Sequence, residues 1–293
     1  MGFPSCREDI ERMSTVRHDV VFGDAGNRPL KLDIYNPTAT RNSTAVLMLH
    51  GGAWRRGDRS LLAPHAMVLA EQGFVAIVPE YRLVEEAVFP AQIHDVRRAL
   101  RWARKHASEL GFDPARLCLE GHSAGGHLAL LAAGSAGDAR LDAPDDNVRI
   151  PTTVAAVAAI YPPVLFHLGS EQPLVGSVPA QALPGADVSE EMAALASPTF
   201  HVGTHLPPVM LLHGDADKVV PAATSRRYEQ EVRDKGGKID LHIFAGFPHG
   251  FANHERVRPL VMTMIGEFFR RTVVEPEAYV FGPSRFELAA ARG

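Results

Sequence analysis

A serine, an aspartate and a histidine far apart in the chain, together with a pair of glycines, carry the chemistry this sequence suggests. Ser123 lies in Leu117-Cys118-Leu119-Glu120-Gly121-His122-Ser123-Ala124-Gly125-Gly126-His127, where an apolar strand-like run meets a glycine and a Leu/Ala-rich segment follows. The Gly-x-Ser-x-Gly spacing at Gly121, Ser123 and Gly125 is that of a nucleophile elbow, a tight strand-to-helix turn that presents the serine. Side chains two residues before or after it would collide with neighbouring backbone, and glycine removes the clash. The helix that follows points its free N–H groups and positive end at negative charge forming near the serine.

A serine hydroxyl is a weak nucleophile at neutral pH and needs a base within hydrogen-bond reach, usually a histidine oriented by a carboxylate. His249 follows the strand-like residues 239–244 in Ala245-Gly246-Phe247-Pro248-His249-Gly250-Phe251, and Asp217 follows residues 209–213 in Gly214-Asp215-Ala216-Asp217. Each falls just beyond a strand end. Of the 14 histidines, His242 alternates within a strand and His254 opens a charged helical stretch, so both are poorly placed rivals. Asp215 competes with Asp217, but an Asp directly after a glycine commonly serves its own turn. Asp217 stands further out, before a helix opened by Pro221.

The third element is His50-Gly51-Gly52-Ala53-Trp54, on the loop after an earlier strand. Adjacent glycines let backbone N–H groups approach a developing oxyanion without obstruction, and Gly51, Gly52 and Ala124 are the expected donors. Trp54 and His122, beside these elements, are the expected substrate contacts.

The elements that must position these residues alternate. Residues 16–22 and 30–35 read as a hairpin about the turn Gly23-Asp24-Ala25-Gly26-Asn27. Residues 45–49, 74–79, 116–120, 154–161, 209–213 and 239–244 are apolar strand-like runs of the kind buried on both faces of a parallel sheet. Residues 61–72 and 90–110 have helical spacing, the second closing at Gly111. This alternation predicts an α/β fold with about eight mostly parallel strands and helices on both faces. Residues 1–275 read as one domain, and 276–293 as a peripheral tail. Residues 162–208 break the rhythm with Pro, Gly and Ser around one short helix at 189–195. A connection of that length is usually a lid or substrate loop.

Bulk properties narrow the function. Hydrophobic residues are 46% and charged residues 22% of the 293, a globular balance, and a net charge of -4 provides no basic stripe for nucleic acid. No apolar run reaches the roughly 20 residues of a membrane span. The charged start, with Arg7, Glu8, Asp9, Glu11 and Arg12, lacks the apolar core of a secretory signal, and the two cysteines make no disulfide framework. A cytoplasmic protein is the expectation. No His-Glu-x-x-His, paired Cys or carboxylate cluster suggests a metal site. Asp95 reads as a structural hydrogen-bonding partner, and Arg55, Arg56 and Arg59 as a solvated charged loop.

His50-Gly51-Gly52-Ala53-Trp54, Glu80-Tyr81-Arg82-Leu83, Phe89-Pro90-Ala91, Gly121-His122-Ser123-Ala124-Gly125-Gly126, His213 to Asp217 and His249-Gly250-Phe251 together resemble the α/β-hydrolase fold. More narrowly, they resemble the BD-FAE-like and hormone-sensitive-lipase-like carboxylesterases and the related arylformamidases, over about residues 16–269. Gly57-Asp58-Arg59 is similar to the BD-FAE and arylformamidase side, while N-terminal cap helices are hardly represented. The resemblance implies a cofactor-free serine hydrolase that cleaves small esters through an acyl-enzyme, with Ser123, Asp217 and His249 as its triad. N-formyl aryl amide hydrolysis is the alternative, and a ligand-binding homologue without turnover a distant one. The expected partner is a small ester or amide; the oligomeric state is left open, a homodimer being one option.

Overall fold

Strands that are apolar on both faces need helices above and below them, and that requirement organises the computed structural model of this chain. It describes residues 16–26, 28–37, 39–144, 148–168, 178–179, 189–280 and 282. One eight-stranded sheet contains β1 (Val16–Asp24), β2 (Pro29–Tyr35), β3 (Ala45–Leu49), β4 (Val75–Pro79), β5 (Leu117–His122) and β6 (Val157–Ile160). A separate two-residue ladder joins β7 (Phe166–His167) to β8 (Val178–Pro179), and β9 (Val209–Gly214) and β10 (Ile239–Phe244) complete the main sheet. Its order is β1-β2-β4-β3-β5-β6-β9-β10. The pairs β1/β2 and β2/β4 are antiparallel and all others are parallel. The expected eight-stranded, mostly parallel α/β sheet is therefore the one observed.

The helices are α1 (Ala63–Glu71), α2 (Ala91–Lys105), α3 (Ala107–Leu110), α4 (Ala124–Gly134), α5 (Glu190–Ala196), α6 (Ala223–Asp234) and α7 (Arg258–Phe269). Side chains alternate along each strand, which splits the core into two layers. Leu47, Leu49, Leu117, Leu119, Val157 and Leu211 share one layer with α2, α4 and α6; Met48, Cys118, Ala158, Ile160 and Leu212 share the other with α1 and α7. Every residue of α4 is buried, so this helix is apolar all round rather than striped. Gly111, at φ 72°, ends α3 in the left-handed conformation expected of it.

Within 162–208, the expected short helix is α5, whose N-cap Ser189 accepts a hydrogen bond from the Met192 N–H at 3.1 Å. Residues 169–177 and 180–188 of that predicted lid, and residues 281 and 283–293 of the predicted tail, lie outside the described residues. No helix among the described residues is long and apolar enough to cross a membrane.

Candidate active site

β5 delivers Ser123 at the centre of the sheet. Its backbone takes φ 52° and ψ -115°, a strained conformation for a residue with a side chain. Two hydrogen bonds hold it there: Ser123 N–H donates to the Ile160 carbonyl at 2.8 Å, and its own carbonyl accepts from His127 N–H at 2.9 Å. A Cβ at Gly121 would lie 2.3 Å from the Gly125 carbonyl oxygen, and one at Gly125 would lie 2.0 Å from that of Leu49. Both positions admit only hydrogen, so the two outer glycines of the motif are a steric requirement of the turn.

The three distant side chains meet here. His249 Nε2 is 2.9 Å from Ser123 Oγ, and His249 Nδ1 is 2.6 Å from Asp217 Oδ2. Asp217 is buried and fixed from several sides. Its Oδ1 accepts the N–H groups of Val219 at 2.8 Å and Val220 at 2.9 Å. Its Oδ2 is also 3.3 Å from Nε2 of His213, a residue to which the sequence alone assigns no role. His213 Nε2 lies 2.9 Å from the Val220 carbonyl and must donate to it, so in the neutral ring Nδ1 accepts from Ser225 Oγ at 2.7 Å. Burial keeps that ring neutral by lowering its pKa.

The rivals have other occupations. Asp215 Oδ1 accepts from Gly246 N–H at 2.6 Å, tying together the two loops that carry Asp217 and His249. His254 Nδ1 accepts from Arg256 N–H at 3.2 Å, and His242 lies within β10.

Gly51 abuts Ser123: a Cβ there would sit 3.3 Å from Ser123 Cβ. Gly52 has φ 127°, and a Cβ on it would fall 1.9 Å from the Arg56 carbonyl oxygen. His50, buried and stacked on Tyr81 with ring centroids 4.4 Å apart, places Nδ1 2.7 Å from the Gly51 carbonyl. Tyr81 donates its hydroxyl to the His50 carbonyl at 2.8 Å. Because a peptide plane is rigid, holding the Gly51 carbonyl also sets the direction of the Gly52 N–H, which points the opposite way. Ala124, first residue of α4, adds a first-turn N–H with no partner inside the helix.

Trp54 and His122, the expected substrate contacts, both lie in the interior of the fold. Both are buried: Trp54 packs edge-on to His127 at 5.2 Å and near Phe166 at 6.0 Å, whereas His122 faces Glu120 and Tyr161. Strand alternation is the reason for the second, since His122 shares the α1/α7 side with Cys118 and Glu120. Arg59 also departs from its expected solvated loop. It forms ion pairs with Asp33 and Glu80, each at 2.9 Å, and with Asp19. Asp95 is the structural partner expected, accepting from Arg82 N–H at 2.9 Å and from both Nε and Nη2 of Arg82 at 2.8 Å. Among the described residues, no three His, Cys, Asp or Glu side chains gather as metal ligands would.

An open, mostly parallel sheet with a serine on a central strand-to-helix turn, and Asp and His on later strand ends, defines the α/β-hydrolase fold. The BD-FAE family model matches residues 32–232, and the chain belongs to that family. Esterase LipQ of Mycobacterium tuberculosis is 30% identical over 255 residues, which are 80% of this chain and 57% of LipQ. Esterase LipC of the same organism is 29% identical over 85% of this chain and 63% of its own length. The chain thus spans about three-fifths of these curated relatives. Among solved structures, the apo form of Thermogutta terrifontis esterase 2 superposes with a TM-score of 0.76 at 26% identity, covering 93% of this chain and 98% of that one. The same esterase has been solved with butyrate bound and phosphorylated by paraoxon.

Proposed function

We propose that this protein is a serine esterase that hydrolyses small carboxylic esters through an acyl-enzyme on Ser123. The observation that carries the reading is the continuous row from Ser123 Oγ through His249 to Asp217, at 2.9 and 2.6 Å. In the forward step His249 Nε2 takes the hydroxyl proton as Ser123 attacks the ester carbonyl, and Asp217 stabilises the imidazolium through Nδ1–H. The N–H groups of Gly51, Gly52 and Ala124 receive the oxyanion, charge that develops only in the transition state. His249 then protonates the departing alcohol, and water repeats the sequence on the acyl group.

Membership in an esterase-rich family favours esters over N-formyl aryl amides. The test is turnover of short p-nitrophenyl esters beside an N-formyl aryl amide. Ser123→Ala, folded, should lose hydrolysis of both by several orders of magnitude. Paraoxon should inactivate the wild-type protein with one phosphoryl group per chain. Turnover near the wild-type rate in the alanine variant would sink the assignment.

A further inference from the structure

Behind the elbow lies a second polar cluster that the hydrolytic cycle does not use. Glu120 and His122 project from β5 into the apolar layer of Met48, Ala158, Ile160 and Leu212, with side chains 0% and 3% exposed. His122 Nε2 is 2.8 Å from Glu120 Oε1, a close contact that lies off the direction of an aligned hydrogen bond. Glu120 has no other partner among the described residues. Burying a carboxylate and an imidazole this deeply is costly unless the two polar groups face each other, and here they do, at 2.8 Å. Apolar residues of the same volume would pack this layer at least as well, so the pair is not explained by stability alone.

Its contacts converge on one loop. On one side, His122 Nδ1 is 3.2 Å from the Tyr161 hydroxyl, and the Tyr161 ring lies 4.6 Å from that of His249 and 5.3 Å from that of Phe251. On the other, the His122 ring meets His65 edge-on at 4.7 Å, and His65 Nε2 donates to the Ala252 carbonyl at 3.1 Å. Burial, and after it the nearness of His122, lowers the pKa of His65 and outweighs the opposing pull of its bond to Ala252. His122 is also the residue before Ser123. One side chain therefore links the nucleophile's own strand to both supports of residues 249–252.

We propose that Glu120 and His122 are positioning residues for His249: through Tyr161 and His65 they brace residues 249–252, keeping the imidazole aligned between Ser123 and Asp217. The proposal rests on the serine-esterase reading. A base that wobbles about its productive orientation slows proton transfer without weakening ground-state substrate binding. Loss of the brace thus lowers kcat and leaves KM.

The test compares Glu120→Gln, which keeps shape and removes charge, with Tyr161→Phe, which keeps the ring and removes the hydroxyl. Active sites are counted with a fluorophosphonate, and kcat per labelled serine and KM are measured on a short p-nitrophenyl ester alongside the thermal midpoint. Each variant should lose about tenfold or more in kcat with KM within about twofold. The double variant should fall little below the weaker single one, because both changes cut the same connection. Wild-type kcat per labelled serine in the folded variants, a rise in KM alone, or fully multiplicative losses would overturn the proposal. If Glu120→Gln does not fold, Tyr161→Phe decides it, since its packing is unchanged. A wild-type protein that is neither labelled nor active would instead refute the serine-esterase reading.

Discussion

Asp217 receives four close polar neighbours, two backbone N–H groups and two imidazoles, and this density explains how a carboxylate with so little exposure stays in place. Asp217→Asn keeps the shape but offers His249 Nδ1 a donor or a weaker acceptor, favouring the wrong tautomer. A fall of about four orders of magnitude in kcat is expected, measured against protein with an unchanged thermal midpoint. Gly52 makes a second prediction at this scale. Gly52→Ala places a methyl group against the Arg56 carbonyl, so the loop must move and the Gly52 N–H, the proposed oxyanion donor, is lost from position. The expected loss is about two to three orders of magnitude in kcat with intact paraoxon binding stoichiometry. Ser123, Asp217, His249 and the two glycines were legible because each stands at a strand end in a recognisable string. His213, Tyr161 and Glu120 were not, because a buried polar residue within or beside an apolar run carries no local mark of its partner.

At the scale of elements, Arg59 ties the loop after Gly51 and Gly52 to the edge hairpin. It bridges Asp33 on β2 and Glu80 beyond β4, and also reaches Asp19 on β1, while Arg28 approaches Glu80 from the other side at 2.5 Å. The Asp33 side chain is 6% exposed and that of Glu80 16%, so removing Arg59 takes from both a charge that water reaches poorly, with Arg28 left on Glu80 and His18 on Asp33. Arg59→Ala should cost about 2 to 3 kcal/mol in urea unfolding, more than any solvated surface pair. The linear sequence showed three arginines near one another and no sign that one turns inward, since Asp33 and Glu80 are 26 and 21 residues away. The end of α5 is tied down in a similar way: His127 Nε2, from α4, donates to the Ala196 carbonyl at 2.7 Å, and Ser197 Oγ accepts from Phe166 N–H at 2.9 Å. The returning limb of the 162–208 excursion is thereby fastened to the helix that follows Ser123.

For the whole molecule, buried neutral histidines set the acid limit. Burial lowers the pKa of His127 from 6.5 to about 4 and that of His65 to about 3. Between pH 6.5 and those values the unfolded chain binds protons that the folded chain refuses, so stability is full above pH 6.5 and falls as the pH drops. Each histidine should contribute a slope of roughly 1 kcal/mol per pH unit. The thermal midpoint should therefore decline steadily from pH 7 to pH 4. His127→Gln, which keeps a donor for the Ala196 carbonyl, should make that decline shallower. A midpoint independent of pH over this range would contradict the assignment of both rings as buried and neutral.

What the sequence by itself determined is local and periodic: two-sided apolar strands imply helices on both faces, and glycines at fixed offsets imply a turn that tolerates no side chain. Those regularities located Ser123, Asp217, His249, Gly51 and Gly52. The tertiary structure alone decided which side chains become neighbours across the sheet. It put Trp54 and His122 in the interior, turned Arg59 toward Asp33 and Glu80, and set Tyr161 against His249. The physical reason is that a strand's period of two assigns each residue a face, whereas what waits on that face comes from segments tens to nearly two hundred residues away, such as Ala252 opposite His65.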